Sequence, residues 1–166
     1  MRQGLIALWP RVPPDRDALL AAILAPVQAD AFRQLPVHDQ SHLCAVYRQL
    51  RDSGIDDRGL LTAALLHDIG KVSPSGSARV RLGDRVALVF LQRVAPRLLR
   101  YLSRQPASWG RHGLALAVHH PSLGADRAAT LGCSERVCWL IAHHADRPLP
   151  ADTQLRLLIQ ADETCP

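Results

Sequence analysis

The sequence predicts an all-α, single-domain fold. Apolar residues recur at helical spacing almost throughout, runs of alternating β-branched residues are absent, and twelve prolines with ten glycines cut the chain into short lengths. At 166 residues the chain has the size of one domain with a real core. Hydrophobic residues make up 48% and charged residues 21%, which excludes a disordered chain. No apolar run reaches the roughly 18 residues that a membrane span requires. The stretch Leu5-Ile6-Ala7-Leu8-Trp9 is short and lacks a small-residue cleavage site, so the expectation is a soluble, cytoplasmic protein.

Pro13-Pro14-Asp15 marks a helix start, and Leu19, Leu20, Ile23 and Leu24 form its apolar face until Pro26. A second helix is expected over 27–35, stopped by Pro36, and a third over 38–52, ending before Gly54. Asp56 or Asp57 can cap a fourth, whose run Leu60-Leu61-Thr62-Ala63-Ala64-Leu65-Leu66 is apolar all round. Such a helix is central and buried, and it ends at His67-Asp68. The segment 72–83 carries serine and glycine and reads as a loop. A long helix over 84–104 with a kink at Pro96 follows, then helices over 109–119, 121–131, 134–144 and 152–161.

The formal charge is +5, and all but one of the 20 basic residues are arginines, the exception being Lys71. Positive charge suits an anionic substrate as well as it suits solubility. Arg93, Arg97, Arg100 and Arg104 share one helical face opposite Leu91, Val94, Leu98 and Leu102. That pattern reads first as a solvated face, and otherwise as a basic rim for a nucleotide or acidic partner or a face resting on anionic membrane. Few aromatic residues and no recognition motif argue against a DNA or RNA partner; Trp9, Trp109 and Trp139 read as core or interface anchors. Cys44, Cys133, Cys138 and Cys165 contain no C-x-x-C pair and outline no disulfide framework.

Six of the eight histidines sit beside another histidine or an aspartate: His38-Asp39, His67-Asp68, His119-His120 and His143-His144. A buried helix ending in an imidazole and a carboxylate must satisfy both, and a divalent metal does so at once. Consecutive helical residues diverge by about 100°, so the pair can approach one centre from neighbouring directions, or the carboxylate can bridge two metals. Imidazole with carboxylate suits iron, manganese, cobalt or zinc better than calcium or magnesium. His38-Asp39 follows Pro36 at a helix start and reads as a solvated or capping pair. His38 lies one turn before His42. His112, beside Arg111, reads as a surface residue.

The run Ala63-Ala64-Leu65-Leu66-His67-Asp68-Ile69-Gly70-Lys71 resembles the signature of the HD superfamily in its HD-Ile-Gly variant. His42 with the residues to Val46 resembles the family's leading-histidine helix. His120-Pro121 with Gly124-Ala125 resembles the segment that supplies a histidine to a second metal. His143-His144 resembles the paired histidines that follow, and Leu158-Ile159-Gln160-Ala161-Asp162 the last helix with its aspartate. The likeness spans 36–163 and leaves the N-terminal helices of 1–35 outside the HD domain of 36–166, in one compact domain.

The resemblance implies an HD-type helical bundle and two divalent transition metals. His42, His67, Asp68 and Asp162 would hold the first, and Asp68, His120 and His143 the second, with Asp68 as the bridge. Neighbouring helical histidines rarely face one centre together, so with His120 and His143 taken as the ligands His119 and His144 fall to an outer or substrate-binding role, and which member of each doublet is the ligand stays open. Lys71, one turn after His67, points the same way and can grip a substrate phosphate or neutralise charge on a phosphoryl oxygen; otherwise it offsets the helix dipole.

Two metals roughly 3.5–4 Å apart can activate a water and stabilise an in-line displacement. The resemblance therefore implies a phosphohydrolase or phosphodiesterase acting on a small phosphate ester or nucleotide: a phosphomonoester, a cyclic dinucleotide or a dinucleoside polyphosphate. Ala145-Asp146-Arg147-Pro148 stands where one cyclic di-GMP subgroup carries Gly-Tyr-Pro. Two other readings fit the same residues: a mixed-valent di-iron oxygenase of the superfamily, and a regulatory module that binds metal or nucleotide without turnover.

Overall fold

A computed structural model describes residues 12–73, 79–80, 82–103 and 113–165. Trp9, Trp109, Arg104, His112, the middle of the 72–83 loop and the side chain of Arg100 lie outside the described residues. The described residues form helices and no β-strand; their one strand-like contact is an isolated bridge between Val72 and Arg79. The helices are α1 (Arg16–Ile23), α2 (Pro26–Arg33), α3 (Val37–Asp52), α4 (Arg58–Leu66), α5 (Leu82–Val94), α6 (Pro96–Ser103), α7 (Gly113–Thr130), α8 (Glu135–His143) and α9 (Thr153–Thr164). A 3₁₀ turn, Ile69–Lys71, follows α4. None is long and apolar enough to cross a membrane.

Helix α4 is the axis of the bundle. It packs against α1, α2, α3, α8 and α9, and every residue from Leu60 to Leu66 is buried. Asp57 starts it, its Oδ1 accepting from the Leu60 amide at 2.7 Å, which satisfies one of the first-turn N–H groups that a helix leaves without partners. Leu20, Phe32, Leu43, Leu61, Leu65, Ile141 and Leu158 belong to one hydrophobic cluster, so α1 and α2 share the core of the later helices. Ser134 and Asp152 cap α8 and α9 in the same way as Asp57. Asp15 stands at the start of α1 without capping it, because its carboxylate pairs with Arg48 instead.

Two helix boundaries differ from expectation. The helix expected over 84–104 is two helices, since Pro96 begins α6 as its first residue instead of kinking a continuous rod. Conversely, α7 runs through Pro121, where two helices were expected. A proline inside a helix removes one main-chain donor and leaves the carbonyl four residues earlier, that of Ala117, without its usual partner. That carbonyl is used in the site.

Helix α7 packs against the 3₁₀ turn and against α8. Gly70 makes the first contact possible: a Cβ there would stand 2.1 Å from the carbonyl oxygen of His120 and 2.6 Å from the amide of Gly124. Arg127 ties the same surfaces together, donating from Nη1 to the Ile69 and Val72 carbonyls at 3.1 and 3.2 Å. The Gly70 to Gly124 approach sets His120 against Asp68.

Candidate metal centre

Five elements bring six side chains to one place: His42 from α3, His67 and Asp68 from the end of α4, His120 from α7, His144 from the end of α8 and Asp162 from α9. Asp162 accepts at Oδ1 from His42 Nε2 at 2.7 Å and lies 3.2 Å from His67 Nε2. Asp68 turns Oδ2 toward His67, 3.8 Å from its Nε2, and Oδ1 toward His120 and His144, 3.5 and 3.9 Å from theirs. Two sets of three, His42 with His67 and Asp162, and His67 with Asp68 and His144, each place their donor atoms within 4.8 Å of one another. These buried imidazoles and carboxylates could hold a metal ion.

The histidines are oriented by main-chain carbonyls. His67, His120 and His144 each donate Nδ1–H to the carbonyl three residues earlier: Ala64 at 3.0 Å, Ala117 at 2.9 Å and Ile141 at 2.7 Å. Ala64 and Ile141 lie in the last turns of their helices, where main-chain donors run out, and the Ala117 carbonyl is the one that Pro121 leaves free. In His120 and His144 this bond fixes the tautomer and turns Nε2 inward as an acceptor, whereas in His67, whose shift is upward, Nε2 donates to Asp162 Oδ1 at 3.2 Å. His120 and His144 thereby face each other Nε2 to Nε2 at 3.2 Å, two lone pairs that need a cation or a proton between them.

Electrostatics favour the cation. Burial pushes His144 down to about 3, and neighbouring His67 pushes the same way. Burial also lowers His120, against the pull of Asp68. Both imidazoles are therefore neutral near pH 7. Burial raises Asp68, but Lys71 and His67 outweigh it and hold the carboxyl well below the usual range. In Asp162 the same rise is overcome by the bonds from His42 and His67. His67 itself is depressed by burial and raised more by Asp68 and Asp162, so its net shift is upward. Two carboxylates and at least two neutral imidazoles make an anionic, nitrogen-rich site.

Among the residues singled out by sequence, His42, His67, Asp68, His120 and Asp162 come together, and His143 does not. His143 has a side-chain exposure of 40%, bonds Asp146 through Nδ1 at 2.7 Å and packs on Trp139 with ring centres 4.7 Å apart. His144, expected to be outer or substrate-facing, takes the inner position at 3%. The reason is helical register: Val137, Leu140 and Ile141 are the buried face of α8, and His144 continues it one turn on, whereas His143 continues the face of Trp139. That spacing was legible in the sequence. His119 is exposed on α7, about 100° round the helix from His120.

Asp39 was missed. It reads as half of a solvated pair, yet it is 3% exposed, because it lies on the face of α3 that carries Leu43, Val46 and Leu50 at i+4, i+7 and i+11. Its Oδ1 stands 4.0 Å from Lys71 Nζ, which also pairs with Asp68 Oδ2. The only lysine of the chain is therefore held between two buried carboxylates beside the histidine cluster. His38 remains on the outside at 46% and contacts Asp39 at 3.3 Å.

No model of a known protein family, no curated protein and no solved structure matches this chain.

Proposed function

We propose that the protein is a metal-dependent phosphohydrolase of the HD type, acting on a small phosphate ester or nucleotide at a two-metal site. The observation that carries this reading is the facing pair of His120 and His144 Nε2 lone pairs, 3.2 Å apart beside Oδ1 of Asp68. With both Nδ1 atoms committed as donors and both rings driven toward the neutral form, a metal cation fits this gap better than a proton. The donor set fits iron, manganese, cobalt or zinc.

In this reading His42, His67, Asp68 and Asp162 hold one metal, and Asp68, His120 and His144 the other. The two oxygens of Asp68 already point to the two halves, which supports its part as the bridge. When bound, such metals supply an acidified water and Lewis-acid polarisation of a phosphoryl oxygen. Lys71, partly exposed beside the cluster, gives its ammonium to a phosphate oxygen and steadies the charge that grows there. Asp39 and Asp68 hold that ammonium in place from two sides.

Metal analysis of anaerobically purified protein, followed by a panel of phosphomonoesters, cyclic dinucleotides and dinucleoside polyphosphates with and without added metal, tests the reading. Two metals per chain and metal-dependent phosphate release are expected. Asp68→Ala is expected to lose both metals and at least about a thousandfold in rate while keeping its helical circular dichroism. Unchanged metal content in Asp68→Ala removes the bridge assignment. Oxygen uptake by iron-loaded protein without phosphate release replaces hydrolysis by the oxygenase reading.

A further inference from the structure

Helix α5 carries its apolar residues on the outside. Val86, Val89, Phe90 and Val94 are each more than half exposed, and Leu98 of α6 continues them at 47%. At about 100° per residue the four α5 side chains cover an arc of about 140°, with exposed Arg93 inside it. The opposite side is where α5 is anchored: Leu88 packs on the small cluster of Val80, Leu116 and Ala117, and α6 buries Leu99. Among the described residues, the outward arc is therefore the uncovered side of a docked helix.

The same stretch of sequence is rich in positive charge. Between positions 79 and 112 the chain carries eight arginines, Arg79, Arg81, Arg85, Arg93, Arg97, Arg100, Arg104 and Arg111, and a single acidic residue, Asp84. That local excess is larger than the formal +5 of the whole chain. Arg93 and Arg97 are exposed at the join of α5 and α6, among the exposed valines, Phe90 and Leu98.

We propose that the α5–α6 face docks on an anionic lipid surface, with Val86, Val89, Phe90, Val94 and Leu98 entering the headgroup layer and Arg93 and Arg97 pairing with lipid phosphates. Interfacial helices combine an apolar stripe with arginine or lysine, and each basic residue near an anionic bilayer adds about 1 kcal/mol of attraction, a factor of about five. A second copy of the chain is a poorer occupant, because a symmetric contact would bring two arginine-rich segments together. Nucleic acid is poorer too: single strands want stacking rings, and this face offers aliphatic side chains with one Phe.

The test is co-sedimentation of the full chain with phosphatidylcholine vesicles and with vesicles in which roughly a third of the lipid is phosphatidylglycerol, at low and high salt. At least about tenfold tighter binding to the anionic vesicles is expected, weakened by salt. Val89→Ser with Phe90→Ser, and separately Arg93→Gln with Arg97→Gln, should each weaken that binding at least about tenfold while leaving metal content and circular dichroism unchanged. Absence of vesicle binding overturns the proposal, and a concentration-dependent dimer broken by the Val89/Phe90 pair would then reassign the face to a second copy. Vesicle binding that survives both double variants overturns it as well, since the lipid contact would lie elsewhere.

Discussion

Helices α4 and α5 are both rich in aliphatic residues, yet Leu60, Leu61, Leu65 and Leu66 of α4 are at most 1% exposed, while Val86, Val89, Phe90 and Val94 of α5 are 57–64% exposed. The difference lies in the neighbours. Five helices surround α4, so all of its faces are covered and its end is held rigidly enough to aim His67 and Asp68. Helix α5 meets α6 and α7 on one side only. Apolar residues around α4 support the histidine cluster from within, and those on the outer arc of α5 face outward.

Gly70→Ala should give the largest effect, because it pushes α7 off the turn that ends α4. With a Cβ 2.1 Å from a backbone oxygen, the loss of stability is expected to reach at least about 4 kcal/mol, measured by urea unfolding, with metal content falling alongside. A mild effect would mean that α7 is not seated on the turn. The next effect sets the two helices side by side: Leu65→Ala should cost about 2–5 kcal/mol and Phe90→Ser no more than about 0.5 kcal/mol. Equal costs would show that the outer arc of α5 is covered in solution.

The smallest effect concerns acid. His144 has a folded value of about 3 against an ordinary 6.5, so the unfolded chain takes up its proton first as the pH falls. Its contribution is complete above about pH 6.5 and is lost toward pH 3. His67 is raised and works the other way, its contribution being present below about pH 6.5 and lost above it. Asp68 and Asp162, both lowered, lose theirs only below about pH 4. Metal-stripped protein should therefore lose on the order of 2 kcal/mol between pH 7 and 4.5, and His144→Phe should reduce that slope, leaving the part that the lowered His120 contributes. An unchanged slope in His144→Phe would place the responsible proton elsewhere. In Phe90→Ser the slope should stay as it is, since Phe90 belongs to the outer face.

The sequence by itself determined the helical class, most helix positions, the buried run that ends at His67-Asp68, and His42, His120 and Asp162 as its companions. His42, His120 and Asp162 follow from the resemblance to the HD signature; the first three follow from 3.6-residue periodicity and from turn residues, which act locally. Proline was read less well for the same reason: whether Pro96 starts a helix or Pro121 interrupts one depends on what packs around it. His143 against His144, and the burial of Asp39, were also encoded by spacing, but a doublet's two faces differ by about 100° and only the packing of α8 and α3 tells which one turns inward. The tertiary structure alone decided that three helix carbonyls fix three imidazoles, that Gly70 admits α7, and that the valines of α5 stay outside. Each of these depends on distances between segments far apart in the chain, and no local pattern carries that information.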